Sequence, residues 1–344
     1  MKKAQRILNE LIEDLRNKDF NYQSKEEKEI DWSAYNLSKI HEADFFLTFV
    51  KEAVDGVQVK LPKNEGAGRP QSDAYDLAKI LLMKEYFHAA ERQADGLAFL
   101  CKERLALKNI YSASTIGRAY SRTDVQGILG KVFDLTNEPI KDKETSFSAD
   151  GTGLTLSTKQ NYANDRDDTA KHAGYDKALI MISNHFHIAT GFVHANGTAN
   201  DSPLFAPVLE QTEGKFTHIT DVELDAGFIS RENCQLIAKV GAAPYIFPKR
   251  GITLNQKGAP AWKKMLLSLI SDPQGWLEKY HNRSQNECYF SSHKRRFTRP
   301  LLRRKKVRKG TEAFCRFIVT NITMLITAYF ERRVEVKQFD QAYL

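Results

Sequence analysis

Cysteine is scarce and scattered: Cys101, Cys234, Cys288 and Cys315 are the only four in 344 residues, and no two form a Cys-x-x-Cys pair. Neither a zinc site nor a disulfide framework is indicated, and a reducing cytoplasm suits such a chain. There is no glycine-rich Walker loop, so nucleotide hydrolysis has no support. Long apolar runs are also missing. The most apolar late stretch, Phe317 to Phe330, reads as too short and too polar to span a bilayer. The opening Met-Lys-Lys-Ala-Gln-Arg is basic, but Asn9, Glu10, Glu13 and Asp14 interrupt any apolar run, which argues against a signal peptide. A cytoplasmic protein with no membrane partner is expected.

What is present is a cationic segment on a near-neutral body. The net charge is +8, and ten Lys or Arg with no acid lie between Lys294 and Lys309, so the rest of the chain nets −2. A membrane surface could attract such a strip, as could nucleic acid, and a solvated basic loop is the plain alternative. A strip that tracks a phosphate backbone is favoured, through Lys294, Arg295, Arg296, Arg303, Arg304, Lys305 and Lys306.

The first 140 residues read as helical, and the length suggests about two domains. Ile7, Leu8, Leu11, Ile12 and Leu15 recur at helical spacing, and Phe45, Phe46, Phe49 and Val50 do so again after a polar stretch over 20–33. Leu61 to Pro70 is a breaker cluster. Ser72 is placed to cap a helix bearing Leu77, Ile80 and Leu81, and a further helix is expected over 91–107. Ser114 can cap the next, which carries Arg118 and Arg122. Helix, turn and capped basic helix resemble a helix-turn-helix, with a purely structural bundle as the equal alternative.

From Thr145 the apolar period changes from 3.6 to 2. Ser146 to Gly153 reads as a strand entering a glycine turn, with Leu154 and Leu156 in the next strand. Lys177–Ile188, Gly191–His194, Phe216–Leu224 and Pro244–Arg250, the last with two cations at its end, supply further strands. Helices are expected near Pro203, after Ser230 and over Ala261–Ile270. Such an order indicates an α/β domain with a mixed sheet and flanking helices over 141–344, behind an all-α region over 1–140. Thr311 to Phe330 is expected to be a closing helix packed on the sheet. His185 and His187 share a strand face, for zinc or as ordinary polar positions. Asp165, Asp167 and Asp168 read as a solvated acidic loop.

Tyr280, Arg283, Glu287 and Lys294 are spaced at offsets of 0, 3, 7 and 14. On a continuous helix these fall at roughly 0°, −60°, −20° and −40°, one narrow face. A carboxylate flanked by cations and a phenol suits a metal beside a phosphate backbone, although ordinary helical ion pairing gives similar faces. Asp150 and Asp225 both stand where a strand meets a glycine turn, and turn chemistry alone would place aspartate there.

Tyr, two residues, Arg, three residues, Glu, six residues, Lys resembles the signature of the DDE transposases of bacterial and archaeal insertion sequences. Ala-Asp-Gly-Thr around Asp150 and Leu-Asp-Ala-Gly-Phe around Asp225 resemble that family's first and second motifs. The order is right, with 74 residues between the aspartates and 61 from Asp225 to Glu287. The resemblance implies a ribonuclease-H-like topology for the sheet and a catalytic Asp150–Asp225–Glu287 triad holding two Mg²⁺ ions, with Mn²⁺ as a substitute. It implies DNA contacts from Tyr280, Arg283 and Lys294, and a helical DNA-contacting region ahead of the catalytic domain. It implies binding of terminal inverted repeats, cleavage and strand transfer on double-stranded DNA, by a homodimer on paired ends. The chemistry fits: in-line phosphoryl displacement builds charge that two divalent ions held by a few carboxylates can absorb. Two alternatives stand beside this reading: a ribonuclease-H-like nuclease without strand transfer, and a transposase-derived DNA-binding protein without catalysis.

Overall fold

β1 (Ser146–Thr155) shows how the sheet arises: Phe147 and Ala149 are buried on one face while Ser146, Ser148 and Asp150 take the other, the period of two that a strand imposes. The structure, a computed structural model, describes residues 2–23, 30–60, 71–156 and 174–342. The breaker cluster at 61–70, the acidic loop with Asp165, Asp167 and Asp168, and part of the 20–33 stretch lie outside the described residues.

The chain divides into two compact units, neither continuous in sequence. One comprises Met1–Glu29, Lys141–Gly153 and Lys177–Ser292; the other comprises Ile30–Ile140, Leu154–Asp176 and His293–Leu344. The division expected at residue 140 therefore lies at one of the crossings only: α1 (Lys2–Asn17) belongs with the sheet, and the last helix belongs with the helical unit.

In the sheet unit, β2 (Tyr175–Ser183), β3 (Ala189–Asn196), β4 (Asp221–Leu224) and β5 (Ala243–Ile246) join β1 in the order β3-β2-β1-β4-β5. β1, β4 and β5 run parallel. β2 and β3 are joined by residues 184–188, a link short enough only for an antiparallel pair, so the sheet is mixed as expected. β1 continues straight through Gly151 and Gly153 where a turn was expected, because Thr152 and Leu154 keep the buried alternation going. Only Asp221–Leu224 of the expected Phe216–Leu224 strand is extended.

The sheet's helices are those its caps announce. Pro203 opens a 3₁₀ turn before α8 (Phe205–Glu213), Ser230 Oγ accepts from Asn233 N ahead of α9 (Arg231–Lys239), and α10 (Pro260–Ser271) follows. β3 lies so close to α8 that a Cβ built on Gly191 would stand 2.5 Å from the Val208 carbonyl oxygen. Backbone cannot yield there as a side-chain tip can. Gly191→Ala is expected to cost about 1–3 kcal/mol of stability, read as a lower denaturant midpoint.

In the helical unit, α2 (Trp32–Ile40), α3 (Glu42–Gly56), α4 (Ala74–Tyr86), α5 (Glu91–Leu100), α6 (Ala113–Ala119) and α7 (Thr123–Leu135) precede the sheet strands in sequence. Asp73, rather than Ser72, caps α4, accepting from Tyr75 N at 2.8 Å. α5 stops at Leu100 and turns replace the remainder of the expected 91–107 helix. α6 is seven residues long and begins after Ser112, not Ser114.

The closing helix, α13 (Lys306–Phe330), corrects two expectations. It starts earlier than Thr311, and its main neighbours are α2, α3, α4 and α7, not the sheet. Phe317, Ile318, Ile322 and Leu325 are all buried there. Period 3.6 told which face is apolar, but a period does not say what it meets. Among the described residues α13 is long and apolar enough to cross a membrane, with a mean hydropathy of 1.5, yet 72% of that stretch is buried within the protein. A core helix passes the same test of length and composition.

Candidate active site

The pairing of β1 with β4 brings the two aspartates together. Ser146 pairs with Asp221, Phe147 with Val222, Ser148 with Glu223 and Ala149 with Leu224, so the next position on each strand is Asp150 and Asp225. Asp150 is still within β1 rather than at its end, whereas Asp225 leaves β4 and opens the 3₁₀ turn Ala226–Phe228. The third expected carboxylate arrives from α11 (Pro273–Tyr280), the 3₁₀ turn His281–Arg283 and α12 (Ser284–Arg296).

The single helix face deduced for Tyr280, Arg283, Glu287 and Lys294 is thus broken: Tyr280 ends α11, Arg283 closes the 3₁₀ turn, and Glu287 and Lys294 ride on α12. A 3₁₀ residue advances about 120° rather than 100°, and nothing in His281-Asn282-Arg283 signals the change. The grouping survives because the turn is short. Arg283 Nη2 lies 3.6 Å from Asp150 Oδ2, and its Nη1 lies 3.5 Å from Glu287 Oε1.

Charge explains the arrangement. Burial is the main force pushing the Asp150 carboxyl above its usual range; the neighbouring Asp225 and Asp201 add to it, while the Gly151 amide and Arg283 oppose it. Arg283 is half-buried. Burial works against its charge, yet Tyr280, Asp150, Asp225 and Glu287 together outweigh that and strengthen its hold on the proton. Its Nε is buried and donates to nothing among the described residues. Both of its carboxylate contacts are longer than the 2.7–2.9 Å or so of a closed charge-assisted bond. Burial likewise pushes the Tyr280 phenol up to about 12, and its ring is stacked on Trp276 at 5.5 Å and tilted against Phe247 at 5.1 Å. Glu287 is the exposed member of the group.

Asp201 is a residue that reading for motifs missed. Its Oδ1 would stand 2.8 Å from a Cβ on Gly151, and Lys177 Nζ lies 2.9 Å from the same oxygen. The glycine after Asp150 is there to let this side chain in. Spacing offers no cue to it, because Asp201 follows a different strand.

The donors gathered here are carboxylate oxygens, the chemistry of a hard divalent cation. Asp150, Asp225 and Asp201 crowd negative charge around a partly desolvated point, a deficit that such a cation would relieve. Among the described residues no group of three His, Cys, Asp and Glu side chains is close enough to grip one ion as placed; the Arg283 guanidinium stands between Asp150 and Glu287. His185 and His187 are in the β2–β3 turn rather than on a strand face, and point to different partners: His185 Nδ1 to Glu144 at 2.7 Å, His187 Nε2 to Gln285 at 2.7 Å.

The remaining expected DNA contacts fall in the helical unit and sort into two sets. Lys294, Arg295, Arg304, Lys305 and Lys306 are exposed. Arg296 is paired with Glu42 at 2.7 Å, and Arg303 with Glu91 under the ring of Tyr120. Arg122 is paired with Asp124 and donates to Ser72 O at 2.7 Å, and Arg118 Nε bonds back to Ser114 O at 3.2 Å. The basic strip is therefore partly structural, since Glu42 and Glu91, far away in sequence, have claimed two of its arginines.

Comparison with known proteins agrees with the geometry. The family described as the transposase DDE domain matches residues 142–324, more than half of the chain. The chain is also similar to a protein of Archaeoglobus fulgidus named "Probable transposase for insertion sequence element ISA1214", at 24% identity over 269 residues that cover 77% of this chain and 78% of that one. With a mixed sheet that sets Asp150 beside Asp225 and an Arg283–Glu287 turn facing them, the chain belongs to the DDE transposases of insertion sequences.

Proposed function

We propose that this transposase binds the terminal inverted repeats of its element, cuts the DNA at their ends and joins the 3′ hydroxyls to target DNA by in-line phosphoryl transfer. The observation that carries the reading is Arg283 standing between Asp150 and Glu287, with Asp225 alongside. Asp150, Asp225 and Glu287 are the residues that would hold divalent metal, Mg²⁺ or Mn²⁺. When bound, such ions activate an attacking oxygen and stabilise a leaving one. Arg283, already turned towards the carboxylates and with a spare buried Nε, is suited to a phosphate of the scissile strand. Tyr280, fixed in its aromatic stack, is a wall for a base or sugar rather than a proton carrier, since its phenol is pushed up to about 12. Lys294, Arg295, Arg304, Lys305 and Lys306, all exposed, are the cations for the phosphate backbone, and a homodimer would hold the two ends together.

The test is cleavage of a duplex carrying the element's own end, with Mg²⁺ or Mn²⁺, by the wild type and by Glu287→Gln. Nicking at the end junction should fall by about 10²-fold or more in the variant, with end binding retained. Binding without cleavage by the wild type would favour a DNA-binding protein that has lost catalysis. Cleavage without joining in the presence of target DNA would favour a nuclease.

A further inference from the structure

Beneath the candidate site lies a seam of polar side chains where a packed sheet face would ordinarily be apolar. Ser146, Ser148, Asn184, Asp221 and Glu223 are all buried, Ser148 and Glu223 at 0% exposure. Their hydrogen bonds form one run. Ser148 Oγ donates to Asn184 Oδ1 at 2.6 Å, Asn184 Nδ2 donates to Glu223 Oε2 at 2.7 Å, and Ser146 Oγ donates to Glu223 Oε1 at 3.4 Å. Asp221 stands two residues before Glu223 on the same face of β4, and Lys279 Nζ closes on Asp221 Oδ1 at 3.2 Å.

The run starts on β1 two residues before Asp150, crosses β4 two residues before Asp225, and ends on α11 one residue before Tyr280. We infer that Glu223, Asp221 and Lys279 are positioning residues, a buried tie that fixes the helix bearing Tyr280 and the Arg283 turn against the strands bearing Asp150 and Asp225. The inference rests on the proposed cleavage reading for its purpose, though not for its geometry.

Geometry makes the tie: Asp221 Oδ1 accepts from Thr220 Oγ1 at 2.6 Å and faces Lys279, so one carboxylate joins β4 to α11. Lys279 is half-exposed, so it can be changed without opening the core.

Three measurements on the full chain decide it. In Lys279→Met, single-turnover end cleavage should fall about tenfold to a hundredfold, as misplacement of a reacting group does, with a higher Mn²⁺ concentration needed for half-maximal rate. End binding should be unchanged, and amide hydrogen exchange over residues 276–283 should accelerate. Glu223→Leu should lose cleavage, and Glu223→Gln, which keeps the shape and an acceptor for Asn184, should recover most of it. Unchanged exchange over 276–283 in Lys279→Met overturns the inference whether or not the protein cleaves DNA. A fall in cleavage matched by an equal fall in end binding overturns it too, making Lys279 a phosphate contact, as does Glu223→Gln proving as inactive as Glu223→Leu. A wild type that never cleaves removes the proposed function, while the exchange comparison still decides the tie.

Discussion

Asp150→Asn is expected to lower end cleavage by at least about 10³-fold, a loss of roughly 4 kcal/mol of transition-state stabilisation. The effect should exceed that of Glu287→Gln, because Asp150 is the member desolvated within a strand and facing Asp225, Asp201 and Arg283 together. The amide keeps the shape but removes the charge, so Arg283 loses a counter-ion and one of the carboxylates that would hold a divalent ion is neutralised. Stability should not fall with activity. Burial and like charges hold the Asp150 carboxyl above its usual range, so its ionised form works against the folded state, and neutralising it relieves repulsion. Cleavage rates and a melting curve on the same preparation check both halves; a variant that is inactive because it is unfolded would refute this account.

Arg316→Met is expected to destabilise the helical unit by about 3–5 kcal/mol. Arg316 Nε lies 3.2 Å from Glu85 Oε2 and its Nη2 lies 2.9 Å from Glu312 Oε1, all three side chains being nearly buried. Lys84 Nζ lies 2.9 Å from Glu85 Oε1, which also accepts from Tyr120 OH at 2.8 Å. Removing the guanidinium takes the shared cation from two buried carboxylates, leaving Glu312 with the Leu302 and Arg303 amides and Glu85 with Lys84 and Tyr120. Burial pushes the Glu85 carboxyl upward, but the charges of Lys84 and Arg316 outweigh it and hold the group below its ordinary value. An acid lowered on folding contributes stability above its unfolded value, and that stability is lost as pH falls through the folded one. Acid unfolding of the wild type should therefore come below the usual carboxylate range, and that of Arg316→Met at higher pH. Circular dichroism against pH reads it; coincident curves would sink the claim.

How much of this was legible in the sequence depends on what each residue answers to. Arg283 and Glu287 are grouped by spacing and Asp150 and Asp225 by the strand–glycine pattern and the motifs around them, and strand pairing and a short turn set them near one another. The break at His281–Arg283 was not legible, because a 3₁₀ turn between two helices needs no proline or glycine. Ser146, Ser148 and Glu223 alternate as solvent-facing residues would, and only the strand register reveals that the face is covered. Arg296 and Arg303 announce charge but not their partners, Glu42 and Glu91. Local rules reach the element; long-range pairing decides what the element does.

α13 carries one consequence for how the protein comes into being. It is made after α2, α3, α4 and α7, yet it lies among them. Until it leaves the ribosome, the faces of those helices that it covers stay open for the time needed to translate the intervening chain, on the order of ten seconds or more at cellular rates. This unit therefore completes its core only after the sheet strands have been made. A chain that stops before Lys306 would leave the apolar faces of α2, α3, α4 and α7 without the helix that covers them.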